Sequence, residues 1–337
     1  MNFFLQDSVT GTSTLSEIEK VHRAISSNMF FGCYAYATQS GFRVFELNMS
    51  DKFWKHTDSR WLFGIDYGRS DPRALREVAS RKNSEVRIYD GSFVLESPNF
   101  EPRRDYHPKV AIVENTSSGA QGMVLGSGNF SYNGLRRSVE AGAAITSLKK
   151  SDAKKLIEPV RAGFEALWKK SCPLKKIIVD YENKLASLVS QRDAQRALFA
   201  KGSANGFWIE AGYVTKNRGV SKPGNQIFAP SGFRKFFGLS GVKAGTTLIG
   251  DISFETLEGP IIKKNYREND NGMEKLTLPM PEDHGFGVYD GKVLVFEPRG
   301  SKFFLSAIEH AEFERVYGHR LVNIGKMGGG RRYGEYV

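Results

Sequence analysis

Apolar and polar residues alternate along the first 200 positions of this chain in short blocks of two kinds. "FFLQ", "FFGCYAYAT" and "RWLFGIDYG" are apolar runs of strand length. Between them stand "SEIEKVHRAISS" and "DPRALREVASRK", which carry the spacing of amphipathic helices. In the latter, Asp71 falls at a capping position and Pro72 in the first turn, a helix start. Four more strand-length runs follow closely, "EVRIYDG", "KVAIVEN", "GMVLGSG" and "EAGAAI", and then two long helical patterns, "SDAKKLIEPVRAGFEALWKK" and "KKIIVDYENKLASLVSQRDAQRALFA". Strand and helix in alternation predict an α/β layer architecture.

The pattern changes at the polar, small-residue stretch "KGSANG". From Phe207 onward, "FWIEAGYV", "TTLIGDISFET", "GFGVYD" and "KVLVFEP" are separated by Gly, Pro and Asn turns, which predicts a mainly β barrel or sandwich with a helix or two. The organisation expected is therefore an α/β domain over 1–172, a helical linker over 173–205 and a β domain over 206–337. A length of 337 residues suits two domains. The final "GGGRRYGEYV" reads as a flexible basic end.

Charge narrows the partners. The formal net charge is +11, and residues 201–337 carry 19 Lys and Arg against 15 Asp and Glu, so the excess is spread over both halves. A basic surface attracts phosphate backbones or anionic membranes. The start "MNFFLQDSVTGTSTLSEIEK" lacks a basic region followed by a sustained apolar stretch, and no later segment approaches the roughly 18 apolar residues of a membrane span. Cys33 and Cys172 belong to no paired-thiol or metal-ligand motif. A cytoplasmic protein without membrane attachment is expected.

The chemistry concentrates between His107 and Ile145, in "HPKVAIVENTSSGAQGMVLGSGNFSYNGLRRSVEAGAAI". In extended chain, residues two apart share a face, so His107 points with Lys109, and Ser127 with Asn129. Eleven residues after Asn129 comes Glu140, in a stretch otherwise made of Ala, Gly and Val. A carboxylate there is costly to bury unless it is paired, which invites a partner such as an imidazole. Glu140 could equally pair with Arg136 or Arg137.

The order and spacing of His107, Lys109, Ser127, Asn129 and Glu140 resemble the phospholipase D superfamily, whose signature is His-x-Lys, four residues, Asp, then Gly-Ser-x-Asn and a downstream Glu. One position departs, with Glu114 where the signature has Asp. The resemblance implies an α/β phospholipase D-like domain, a mixed sheet flanked by helices. In it, the His107 imidazole attacks phosphorus to form a covalent phosphohistidine. Lys109 and Asn129 hold the non-bridging oxygens, Glu140 orients the imidazole through its other ring nitrogen, and Ser127 braces these groups. A second histidine must protonate the leaving oxygen and later activate water. None of His22, His56, His284, His310 and His319 is followed two residues later by Lys. Two chains are therefore expected to pool one motif each in a homodimer. The scheme needs neither metal nor cofactor, and no carboxylate cluster of the kind that holds magnesium is present.

The second domain resembles the B3-like DNA-binding pseudobarrel that follows the catalytic domain in phospholipase D-type restriction endonucleases. The resemblance implies two arms that embrace double-stranded DNA. The first candidate is "YVTKNRGVSKPGNQ", with Lys216, Asn217, Arg218, Lys222 and Asn225 as phosphate and base donors; the second is "KKNYRENDNG", with Lys263, Lys264, Asn265, Tyr266, Arg267 and Asn269. The combined expectation is a metal-independent, sequence-specific endonuclease, the nuclease subunit of a restriction system. No Gly-rich Lys-Ser/Thr phosphate loop occurs, so any ATP dependence belongs to a separate ATPase subunit. Two alternatives are a DNA-binding dimer that cleaves only with that partner, and a phosphodiesterase acting on lipid or other non-DNA diesters.

Overall fold

A computed structural model describes residues 1–7, 11–148, 155–199, 204–215, 217–219, 221–241, 247–268, 273–327 and 330–337, with backbone alone for 192–199. The chain divides into two compact units, Met1–Leu188 and Val189–Val337.

The first unit is built on eight strands: β1 Asn2–Gln6, β2 Met29–Tyr34, β3 Asp58–Phe63, β4 Ser84–Ile88, β5 Lys109–Asn115, β6 Ala120–Gly126, β7 Glu140–Ser147 and the short β8 Cys172–Pro173. They lie in one sheet in the order β1-β7-β6-β5-β2-β3-β4-β8, with β2, β3 and β4 parallel and every other pairing antiparallel. The helices are α1 Thr14–Ile25, α2 Gln39–His56, α3 Pro72–Ala79, α4 Gly91–Glu96 and α5 Glu158–Lys170, followed by α6 Ile178–Phe199, which runs into the second unit. Asp71 caps α3 through the Arg73 amide and Pro72 opens it, as the sequence predicts. The alternation of side chains along each strand sorts the core into two layers. Phe30, Trp61, Phe63, Ala111, Val113 and Val124 face α1, α2 and α3. Phe31, Leu62, Ile112, Met123 and Ile145 face Phe164 and Trp168 of α5. The result is a helix–sheet–helix sandwich over a mixed sheet.

Residues 173–188, expected in a linker, belong to this unit. Cys172 and Pro173 pair with Ile88 and Arg87 of β4, and Leu174, Ile177, Ile178 and Tyr181 are buried in its main core. Tyr181 also donates to the Ser70 carbonyl at 2.7 Å. Their apolar content buries them, so the linker expectation is corrected up to residue 188.

The second unit holds β9 Gly206–Glu210, β10 Gln226–Ala229, β11 Leu248–Glu255, β12 Ile262–Glu268, β13 Glu274–Thr277, β14 Val293–Arg299, β15 Lys302–Ile308, β16 Leu321–Lys326 and β17 Arg332–Tyr336, with α7 His310–Tyr317. They form a sheet in the order β10-β13-β12-β11-β15-β14-β9-β17-β16 around a core of Phe207, Ile209, Ile252, Phe254, Tyr266, Leu276, Leu294 and Phe296. On the other face Phe313 of α7 covers Trp208, Val293 and Val295. The mainly β expectation is met.

Two sequence readings are overturned in this unit. "GFGVYD" is a turn segment rather than a strand, because Gly285 (φ 70°) and Gly287 (φ 67°) take left-handed conformations that break extended chain. The C-terminal stretch is not a free basic end among its described residues. Arg332–Tyr336 is an interior strand, paired with β9 on one side and β16 on the other. Arg332 is buried there because Nε meets Glu210 Oε1 at 2.8 Å and Nη2 meets Glu314 Oε1 at 3.0 Å. Burial pushes the Glu210 carboxyl up, but His310 and Arg332 outweigh it and hold the group below its ordinary value.

Candidate active site

Antiparallel pairing brings the pieces of the motif to one end of the first sheet. Tyr34 at the end of β2 pairs with Lys109 at the start of β5, Val110 with Leu125 near the end of β6, and Gly126 with Gly142 near the start of β7. His107, Lys109, Ser127, Asn129 and Glu140 therefore converge there although 33 positions separate the first from the last. Glu114, which stands at the motif's Asp position, lies at the far end of β5, about 17 Å along the strand from Lys109.

Lys109 Nζ is 2.8 Å from His107 Nδ1 and also donates to the His107 carbonyl at 2.9 Å. The expected sharing of one face is thus seen as a contact. Burial pulls the half-buried Lys109 ammonium below its ordinary value, while the nearby Glu140 charge opposes that shift. The expected bond from the imidazole to Glu140 gives way to a different arrangement. Glu140 Oε2 accepts from Ser127 Oγ, and Ser127 also takes the Ala141 amide on Oγ at 3.2 Å. Two short pairs result, Lys109 with His107 and Ser127 with Glu140, coupled by the attraction between Lys109 and Glu140.

The loop bearing Ser127 and Asn129 folds back on a single π turn, Asn133–Arg137. A Cβ on Gly128 would lie 2.0 Å from the Gly134 carbonyl oxygen, and one on Gly134 would lie 2.4 Å from the Asn129 nitrogen. Only glycine at both positions lets the two backbones approach so closely. Asn129 Oδ1 is buried and has no hydrogen-bond partner among the described residues.

Several residues that sequence reasoning passed over hold this geometry. Gln6, at the end of β1 and opposite Glu140, donates from Nε2 to the Ser138 carbonyl at 2.8 Å and to Asn133 at 3.2 Å, and accepts the Thr14 amide. Asp66, just beyond β3, accepts the Tyr106 amide at 2.9 Å and so fixes the residue before His107. Burial is the main cause that raises the Asp66 carboxyl above its ordinary value, against the bond from the Tyr106 amide. Tyr106 donates to the Leu62 carbonyl and stacks on Tyr89 with ring centroids 4.7 Å apart. The local signal for Asp66 was an acid in "GIDYG" directly after a strand; Gln6 has no local signal for its role at the site, because the Asn133 and Ser138 carbonyls that it binds lie more than 120 residues away.

The candidate nucleic-acid residues of the second unit fare unevenly. Asn225 is buried, its carboxamide spent on Asn217 and on the Leu278 carbonyl at 2.8 Å each, so it closes the loop rather than facing a ligand. Arg218 pairs with Glu282 at 2.5 Å. Tyr266 is fully buried and donates to Glu274 Oε2 at 2.6 Å, which removes it from any docking surface. The arm expected at 263–272 is strand β12 as far as Glu268, so period-two alternation sets Lys263, Asn265 and Arg267 on the outer face and Lys264 with Tyr266 on the other. Asn265 Oδ1 accepts from Thr277, and Lys263 Nζ is 3.7 Å from Asp251. Arg267 is exposed directly opposite Lys275. Asn217 and Lys222 are exposed on the first loop. Lys216 and Asn269 lie outside the described residues. Among the described residues no group of three His, Cys, Asp or Glu side chains is placed to hold a metal ion, and no helix is long and apolar enough to cross a membrane.

No protein-family model and no curated protein matches the chain. Solved structures similar to it include NucT from Helicobacter pylori, at 12% identity and a TM-score of 0.36, covering 51% of this chain and 98% of that one. A phospholipase D family member, Nuc from Salmonella typhimurium, shares 13% identity at a TM-score of 0.34, over 51% of this chain and 97% of that one. Polyphosphate kinase from Porphyromonas gingivalis shares 11% identity at 0.27, over 47% and 21%.

Proposed function

We propose that the chain is a metal-independent endonuclease that cuts DNA phosphodiesters through a covalent phosphohistidine on His107. The observation that supports this best is the convergence of His107, Lys109, Ser127, Asn129 and Glu140 at one end of the sheet, with Lys109 against the imidazole. With Nδ1 facing Lys109, Nε2 is the nitrogen left for phosphorus. An ammonium donating to Nδ1 keeps the ring proton on Nε2, so attack requires Lys109 to leave the ring. A substrate phosphate supplies the reason: its non-bridging oxygen is a better acceptor for Nζ than a neutral nitrogen. Nδ1 can then carry the proton, oriented by Glu140 once Ser127 releases it. Bonds of this kind tighten only when substrate is present. The P–N bond forms as the P–O bond to the leaving strand breaks, and the leaving oxygen takes a proton from a second imidazole. Water activated by that same imidazole then cleaves the P–N bond.

The second imidazole is His107 of another copy, and the sheet offers a surface for it. Phe3 and Leu5 of edge strand β1, Leu125 of β6 and Val139 are 74%, 52%, 37% and 73% exposed, beside the end of the sheet that carries the motif. Three of them, Phe3, Leu5 and Leu125, stand on the face that α5 covers farther along. An apolar patch adjoining an incomplete site suits a two-fold homodimer.

The second unit is proposed as a B3-like reader of double-stranded DNA. Arg267 and Lys275 stand directly across from one another, an arrangement that costs stability without an anion and suits a phosphate. Sequence specificity, a restriction role and a cytoplasmic site belong to the same proposal, and any ATP dependence would come from a separate ATPase subunit.

The test is cleavage of a long, varied DNA in excess EDTA by the wild-type protein and His107→Ala. Discrete fragments are expected from the wild type, with a loss of about four orders of magnitude or more in the variant. Equal cleavage by both overturns the assignment of the nucleophile. Tight, salt-sensitive binding without cleavage favours the partner-dependent alternative.

A further inference from the structure

We infer that Tyr67 is a stacking platform for an unpaired base of the strand whose phosphate enters the His107 site, so that the substrate must present a single-stranded, frayed or extruded nucleotide there. This rests on the nuclease reading above and deepens it.

Tyr67 follows β3 in "GIDYG", at the same end of the sheet as the motif. Its backbone is left-handed (φ 57°, ψ 21°), a conformation that bulky side chains rarely take. Such outliers persist where the surroundings hold them, and they concentrate at functional sites. Here the restraints are visible. The preceding residue, Asp66, is bound to the Tyr106 amide, and Tyr67 Oη donates to Asp105 Oδ1 at 3.3 Å. Beneath the loop, a Cβ on Gly68 would lie 3.0 Å from Leu185 and 3.1 Å from Phe100. The loop is therefore packed from below and tied at two points to the segment that ends in His107. Asp105 is two residues from His107, at most about 7 Å along the chain.

What these restraints present is an aromatic ring 49% exposed, next to a neighbour, Tyr106, that found an interior position stacked on Tyr89. The Arg69 guanidinium lies 5.3 Å from the Tyr67 ring centroid. Arg69 is itself exposed. It lies over one face of the ring, so a base would stack on the other with the cation close by. An aromatic face with an adjacent guanidinium is the combination that grips a nucleic-acid strand by one base and one phosphate. Three carboxylates stand near the phenol, Asp105, Glu101 and Asp66; Asp66 is buried on the Tyr106 amide, and the Arg69 guanidinium over the ring counters the exposed two. Bases within a duplex have both faces stacked, so only an unpaired or extruded base can use the ring.

The test is binding by full-length protein in the His107→Ala background, which stops turnover. Fluorescence anisotropy is read with oligo(dT) and with an abasic oligomer of equal length. Tyr67→Ala is expected to weaken oligo(dT) binding by about tenfold while leaving abasic binding unchanged, and Tyr67→Trp to restore it. A 5-iododeoxyuridine oligomer is expected to photocrosslink to Tyr67. Equal loss on both oligomers, no loss on either, or crosslinks confined to other residues overturns the inference. Hydrolysis of bis(p-nitrophenyl) phosphate by the wild-type protein is measured alongside. If the wild type cuts neither this diester nor DNA while the Tyr67 effects stand, the hydrolytic reading fails and the stacking contact survives.

Discussion

Lys109 works between two demands. In the proposed mechanism it must keep its proton to hold a phosphate oxygen, yet burial favours its neutral form and the Glu140 charge pulls the other way. Because the active form is the protonated one and its pKa is lowered, activity should fall as pH rises through a value below the ordinary lysine range. Lys109→Arg keeps the charge at every accessible pH. A pH–rate profile is therefore expected to lose its alkaline limb in Lys109→Arg, at a reduced plateau because the planar guanidinium cannot reproduce the Nζ contact. An unchanged limb would assign that titration to another group. His107 and Lys109 are legible in the sequence because two-residue spacing fixes a shared side without further information. Gln6 is not, since the carbonyls it binds lie more than 120 residues away, and the acid in "GIDYG" marks Asp66 without revealing the Tyr106 amide that it accepts.

At the level of elements, the π turn and the loop before it depend on glycine at 128 and 134, a requirement visible only once their backbones are seen to touch. The outer face of β12 makes the same point in the second unit. As a sequence, 263–272 is a polar loop with donors to spare; as a strand, it separates Arg267 from Tyr266 and sets Arg267 against Lys275. Both cations are expected to contact phosphate, not bases. Arg267→Ala and Lys275→Ala should each weaken DNA binding by a similar factor on every sequence. Each should also lower the slope of log affinity against log salt by about one. Titrations at several salt concentrations check this, and a sequence-dependent loss would make them base readers instead.

Over the whole molecule, the proposed mechanism asks for a second histidine, and an apolar margin adjoins the end of the sheet that carries the motif. Leu5→Asp places a charge within that margin without touching the α1 side of the sheet. It is expected to raise the dimer dissociation constant by roughly thirtyfold or more and to lower cleavage at dilute enzyme, with activity recovering as protein concentration rises. Analytical ultracentrifugation with a concentration series of rates reads both. A monomeric wild type that is fully active would remove the need for a second copy.

The residue pattern alone determined the helix–strand alternation of the first unit, the β character of the second and the five-residue motif, because those depend on periodicities of two and 3.6 and on short spacings. It misjudged "GGGRRYGEYV", since composition speaks of solubility while Glu210 and Glu314, more than 15 positions away, supply the charges that bury Arg332. It could not order the strands either. That Glu140 lies opposite Gln6, that Ser127 rather than His107 takes its carboxylate, and that Tyr67 reaches Asp105, two residues before His107, follow from sheet order and register. These are set by which apolar faces pack together, an energy distributed over the whole core and written in no single stretch of chain.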